Sequence, residues 1–330
     1  EIGNLISLRL GYGQTNGSVE LREAISALYP GADQDNVLVT NGTAEANFLS
    51  IWCNLGPGDE RHLMVPNYMQ MWGIARSFGA TVKPFHLREE FNWGPNLEEL
   101  KSLITPRTKM IAVCNPNNPT GAVLSEEAMK EIVRLAKEAD AWIYSDEVYR
   151  GAELNGKETP SFFGMYDKAI ICCGLSKAYA LPGLRIGWLA GPKKIIEKLW
   201  TYHDYTSISS GILSNQVAAL ALQPERRMKV LNRNRKILKE NLKALQEWTG
   251  THKGLFSFIP PKAGGIVFVK YSMKINSSEL MTQLRKEKSV FIVAGDLFGM
   301  DHYIRIGIGS EKDYMMAGLK LFDDVLRDID

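Results

Sequence analysis

Cysteine is scarce: Cys53, Cys114, Cys172 and Cys173 are the only four in 330 residues. None belongs to a C-x-x-C pair, and the adjacent Cys172 and Cys173 sit in an apolar run. Neither a disulfide scaffold nor a zinc site is therefore expected. They read as buried free thiols of a reducing, cytoplasmic compartment. Net charge is equally small. Thirty-nine Lys+Arg offset 37 Asp+Glu to leave +2, too little to call for nucleic acid or an anionic membrane surface. No stretch approaches the roughly 18 unbroken apolar residues of a membrane helix. Residues 1–10 lack the basic, apolar and small-residue order of a signal peptide. The chain opens on Glu1 rather than Met, and the expectation is that residues ahead of it are missing.

Hydrophobic residues make up 45% and charged residues 23%. That is ordinary globular usage, which excludes disorder, collagen and coiled coil. The length is about two typical domains, and a chain this long buries an ample core without disulfides or a structural metal.

The first two-thirds alternates strand-length apolar runs with longer helical patterns. Strands are expected at 37–40, 61–65, 81–85, 110–114, 142–145 and 170–173. Helices are expected at 43–52, after Tyr68, at 96–104, and from an N-cap at Ser125 to Asp140. Such alternation means crossover units and a mostly parallel sheet covered by helices on both faces. From Glu225 to Trp248 the pattern becomes one long charged helix with Leu231, Leu238, Leu242 and Leu245 as its apolar stripe. Its basic run, Arg226 to Lys243, reads as a solvated face. Strands at 265–271, 289–293 and 303–308, a helix at 278–286 and a final helix form a smaller α+β unit. The expected division is an N-terminal segment at 1–16, the incomplete remainder of an arm, a large domain at 17–232 and a small C-terminal domain at 233–330.

Several motifs fail. Gly11, Gly13 and Gly17 resemble a dinucleotide fingerprint, but the last gap is one residue too long and no acidic partner follows. There is no P-loop, G-x-S-x-G elbow or H-E-x-x-H, and Gly174 occupies the serine position of an S-x-x-K motif.

The ends of the parallel strands, where open α/β sheets place ligands, are more informative. Thr40-Asn-Gly42-Thr43-Ala44 joins strand to helix, and its first-turn N–H groups with the Thr43 hydroxyl form an anion cup. Asn118 follows the next such strand in a loop stiffened by two prolines and Gly121. Asp146 ends a buried strand, where an acid is costly unless it meets a cation, and Tyr149 lies three residues on. Lys177 lies just past Ile170-Ile-Cys-Cys173, where burial depresses an amine pKa as Schiff-base chemistry requires. Taken singly, each has an ordinary explanation: an N-cap, a turn, an ion pair, a surface lysine. Together they supply an anion cup, a carboxylate for a ring cation, donors for a phenolate and an amine for an aldehyde. Pyridoxal phosphate asks for all of these.

The segment Gly174-Leu-Ser-Lys177-Ala-Tyr-Ala-Leu-Pro-Gly-Leu-Arg185-Ile-Gly187 resembles the lysine signature of class I/II aminotransferases, fold type I pyridoxal 5'-phosphate enzymes. The resemblance runs from about Tyr12 to Arg305. It implies a seven-stranded-type, mostly parallel large-domain sheet and a smaller α+β domain. Lys177 looks like the internal-aldimine lysine and proton shuttle, and Asp146 like the acid that keeps the pyridine nitrogen protonated. Tyr149 and Asn118 look like donors to the phenolate, and Tyr68 like the aromatic stacked on the ring. Gly42, Thr43, Ala44, Ser176 and Arg185 resemble the phosphate cup, with Tyr12 reaching in from the partner of a homodimer. Arg305 resembles the clamp on the substrate α-carboxylate, with Asn118 beside it. Alternation supports this locally, placing Ile304 and Ile306 on one face of the strand and Arg305 with Gly307 and Gly309 on the other.

The implied activity is transfer of an amino group between an L-amino acid and a 2-keto acid. One alternative is a lyase or a guanidino-amino-acid cyclase resembling capreomycidine synthase, since Ser176 to Trp188 and Asp204 to Ser210 look somewhat like those enzymes. Another is a non-catalytic cofactor-sensing regulator. Gly174 departs from the serine many members place three residues before the lysine.

Overall fold

The computed structural model describes residues 6–252 and 254–327; residues 1–5 of the expected N-terminal segment and residues 328–330 of the small domain lie outside them. The larger sheet contains β1 (Val37–Thr40), β2 (Glu60–Val65), β3 (Thr81–Arg88), β4 (Gly94–Pro95), β5 (Thr108–Cys114), β6 (Trp142–Asp146), β7 (Ala169–Gly174) and β8 (Gly187–Ala190). Their order is β1-β8-β7-β6-β5-β2-β3-β4. Neighbours from β7 through β3 run parallel, whereas β8 is antiparallel to both β1 and β7. Seven strands of four residues or more form the body, and the two-residue β4 pairs antiparallel at the β3 edge.

Both faces of this sheet are buried, and alternation along the strands divides them. Val37 and Val39 of β1, with Ile171 and Cys173 of β7, face one core. Leu38, Ile170 and Cys172 face the other, beneath α2 (Thr43–Asn54), α3 (Gln70–Ser77) and α6 (Lys193–His203). The first face is covered in part by α1 (Val19–Ser26), α4 (Leu97–Leu103), α5 (Glu126–Glu138) and α7 (Ile212–Leu222). Local capping sets several helix starts. The Ser125 side chain accepts from Ala128 N–H to open α5, as the sequence predicts, and Asn96 accepts from Glu99 N–H to open α4.

The long helix α8 (Pro224–Thr251) leads to the second sheet, so the boundary drawn at 232/233 falls inside one continuous helix. That sheet is antiparallel, ordered β11 (Val293–Ala294), β12 (Tyr303–Gly307), β10 (Ile266–Tyr271) and β9 (Phe256–Ser257), and is packed with α9 (Ser277–Lys288) and α10 (Lys312–Leu326). The strand expected at 289–293 is shorter. Ser289 caps α9 in the left-handed region, φ 55°, and pairing begins only at Val293. All four cysteines are free and buried. No helix among the described residues is long and apolar enough to cross a membrane.

Candidate active site

The turns after β1, β5, β6 and β7 open at one end of the large sheet. Registry makes this possible: Thr40 lies opposite Gly187, and Gly187 opposite Gly174. Glycine at 187 is required by close approach, because a Cβ there would lie 2.5 Å from Gly42 C and Thr43 N. The start of α2 therefore sits directly against β8. Gly42 itself has φ 78° and caps α2 without any side-chain hydrogen bond. A Cβ on Gly42 would stand 2.3 Å from Arg185 Nη2, so the cup closes on the guanidinium because the residue is glycine.

A cavity of about 280 Å³ collects Thr43, Ala44, Tyr68, Asn118, Asp146, Tyr149, Ser176, Lys177, Arg185 and Arg305 along its wall, with Cys114, Val148 and Pro182. Ten of the sequence-predicted residues are thus brought together, and Gly42 adjoins them through Arg185. Tyr12 is not among them: it is 87% exposed and away from this cavity in its own chain. Arg185 Nη1 lies 3.5 Å from Ser176 Oγ and donates to Pro182 O at 3.1 Å.

Asp146 is buried at the end of β6 and accepts Val148 N–H at Oδ1, 3.1 Å. Burial raises its pKa to about 6, against the opposing pull of that N–H and of the Lys177 charge. A carboxylate so placed favours a cation brought to it. Lys177 is exposed to the cavity, yet desolvation and then the Arg305 and Arg185 charges hold its amine below the ordinary lysine range, with Asp146 opposing. Burial raises the Tyr149 phenol, partly opposed by Arg305, so it remains a proton donor at neutral pH.

Arg305 arrives from the other sheet. On β12 it lies opposite Phe268 of β10 and Val293 of β11. Ile304 and Ile306 on either side are buried, as alternation predicts. Its Nη1 donates to Asn118 Oδ1 at 2.9 Å, and its guanidinium lies 5.4 Å from the Phe298 ring centroid. Phe298 and the Val148 N–H escaped the sequence argument. The first is in a 3-10 turn outside any periodic pattern, and the second is a backbone group.

An uncapped helix start with an arginine closing on it, a buried acid without an ion-pair partner among the described residues, and a lysine of depressed pKa all fit pyridoxal phosphate. Such a site on this sheet defines a fold type I pyridoxal-phosphate enzyme. The chain belongs to the class I and II aminotransferase family, whose model matches residues 4–318. It resembles a PLP-dependent aminotransferase from Streptococcus suis 89-1591, with 39% identity and a TM-score of 0.93 over 100% of this chain and 87% of that one. It is 28% identical to an aspartate aminotransferase of Pyrococcus abyssi, over 96% of this chain and 84% of the relative. Capreomycidine synthase of Streptomyces vinaceus is 27% identical, over 95% and 80%. The chain is thus a pyridoxal-phosphate-dependent transferase that exchanges amino groups between amino acids and keto acids.

Proposed function

We propose that Lys177, Asp146 and Tyr149 carry out the transamination, with Arg305 and Asn118 holding the substrate. Gly42, Thr43, Ala44, Ser176 and Arg185 hold the cofactor phosphate. The observation that carries this reading is the meeting of the Lys177 amine, the Asp146 carboxylate and the Arg305 fork on one cavity. When bound, pyridoxal phosphate supplies an aldehyde that condenses with amines and a ring that accepts the electron pair left at the substrate Cα. Lys177 Nζ would hold the group through its aldehyde. The Lys177 amine, held below the ordinary lysine range, would take the substrate Cα proton and return it. Asp146 would keep the ring nitrogen protonated, its burial favouring a cation brought to it. Tyr149 Oη and Asn118 Nδ2 would donate to the phenolate oxygen, and Tyr68 would face the ring. Arg305 holds the α-carboxylate, so that the amino group faces Lys177.

The same reading makes the working unit a cytoplasmic homodimer, with Tyr12 reaching the phosphate of the partner subunit. Its exposure in its own chain is consistent with that assignment.

The test is the visible spectrum with pyridoxal phosphate, followed by titration with single amino acids in the absence of keto acid. Conversion of the lysine-bound band to that of the aminated cofactor, with one amino acid preferred, supports transamination and identifies the donor. The 27% identity to capreomycidine synthase favours a second reading, cyclisation of a guanidino amino acid. A cyclised product, or ammonia from elimination, would establish that reading or a lyase. Cofactor uptake without turnover of any amino acid would indicate a sensor.

A further inference from the structure

Glu45 lies in the first turn of α2, yet its carboxylate points its bonds away from that helix. Oε2 accepts Asn41 N–H at 2.6 Å, from the turn ahead of the cup. Oε1 accepts the Thr206 hydroxyl at 2.6 Å and Ser207 N–H at 3.2 Å. Buried His203 brings Nε2 to 3.4 Å from Oε2 and 3.1 Å from Ser207 Oγ. Asn41 Nδ2 in turn donates to Ser209 O at 3.4 Å. Burial acts to raise the Glu45 pKa, but the bonds from His203, Thr206, Ser207 and Asn41 outweigh it and hold the group down to about 2.

The consequence concerns the cup. Ser18, Asn96 and Ser125 each spend a side-chain oxygen on a first-turn N–H of their helices. At α2 the cap is Gly42, which has no side chain to spend on those donors. Besides its internal bonds, Gly42 N–H to Thr40 O and Thr40 Oγ1 to Gly42 O, the turn is held through Asn41 N–H by Glu45, which reaches on to the 203–209 segment. We propose that Glu45 is a positioning residue for the cofactor phosphate: it pins the Thr40–Gly42 turn and the 203–209 segment together, so that the first-turn N–H groups of α2 stay fixed and open. The proposal rests on the pyridoxal-phosphate site described above and adds a residue that does not line its cavity.

A pair of probes separates this role from general structural damage. Pyridoxal phosphate and phosphate-free pyridoxal are titrated into the wild type, Glu45→Ala and Glu45→Gln, following the lysine-bound band. Glu45→Ala should weaken pyridoxal phosphate about tenfold or more, the cost of a lost charged hydrogen-bond set, and change pyridoxal by less than about twofold. Glu45→Gln retains one acceptor and should fall between the wild type and Glu45→Ala. Equal weakening of both probes overturns the proposal, as does unchanged pyridoxal phosphate binding or tighter binding by Glu45→Gln than by the wild type. Should Glu45→Ala not fold, Glu45→Gln and Thr206→Val must each lower the preference for the phosphorylated probe. An unchanged preference in either overturns the proposal. A wild type that takes up neither probe would instead overturn the cofactor assignment, and this proposal with it.

Discussion

Arg305 and Asn118, 187 residues apart in sequence, meet through a single hydrogen bond of 2.9 Å from Nη1 to Oδ1. The bond joins the small antiparallel sheet to a loop of the large one. It also orients both partners: the amide oxygen of Asn118 is occupied, leaving its Nδ2 to donate, and the rest of the arginine fork is free for a carboxylate.

Replacing Arg305 with Lys keeps the charge and removes the fork. The expected result is a fall of about a hundredfold in kcat/KM, carried mainly by KM for amino donor and keto acceptor alike. Cofactor affinity should stay near that of the wild type. Steady-state kinetics beside a cofactor titration checks this, and a loss confined to kcat would contradict the clamp assignment.

Lys177→Ala should abolish the visible band of lysine-bound cofactor and lower turnover by about a thousandfold or more. Added methylamine would restore part of the activity if the amine serves as the proton carrier. Retention of full turnover would remove Lys177 from the chemistry.

Burial raises Asp146 to about 6 and neighbouring Glu147 to about 7. The folded chain thus favours their protonated forms. Their stabilising contribution is complete below the ordinary carboxylate pKa and is lost as pH rises through those values. Without cofactor, Asp146→Asn should gain stability relative to the wild type as pH rises from about 4 to about 6, by about 3 kcal/mol. With cofactor the order reverses, because the variant cannot pair with the ring cation. Urea unfolding of both proteins at each pH, with and without pyridoxal phosphate, measures this. A pH-independent difference would argue against the buried charge.

The resemblance to the lysine signature implies a serine at position 174, which suggests that introducing the hydroxyl would tighten the cup. The packing argues otherwise. A Cβ at 174 would lie 2.9 Å from Ile186 O, 3.0 Å from Thr43 Cγ2 and 3.1 Å from Gly187 Cα. Gly174→Ser should therefore cost about 1–3 kcal/mol of stability and bring no gain in pyridoxal phosphate affinity. Thermal melting and a cofactor titration decide it.

The parallel strands were legible because both of their faces are buried, leaving uninterrupted runs such as Ile170-Ile-Cys-Cys173. Helices with an apolar stripe or a capping side chain, such as the one opened by Ser125, were legible for similarly local reasons. No local pattern marks β8 as a strand. Its four residues follow directly on the lysine signature, and its antiparallel place between β1 and β7 depends on pairing that no periodicity reports. α7 is hidden for a local reason: it is apolar nearly all round and carries no clear stripe. Glu45 did carry a local signal: it stands three residues after Gly42, the spacing of a capping box. That it reaches Asn41 and the 203–209 segment instead of the cap residue is a tertiary fact.

Residue type and spacing by themselves determined the chemistry available to this protein. The amine of Lys177, the acid of Asp146, the glycine-threonine turn at 42–43 and the arginine on an alternating strand are local features. Sequence carries local features directly, because they depend on neighbours in the chain. Tertiary structure decided which of these groups meet, and which do not. It brought Arg305 from a separate sheet onto Asn118, seated α2 against β8 through Gly187, and left Tyr12 outside the cavity of its own chain. Those outcomes depend on strand order and close packing between segments far apart in sequence, which no local pattern encodes.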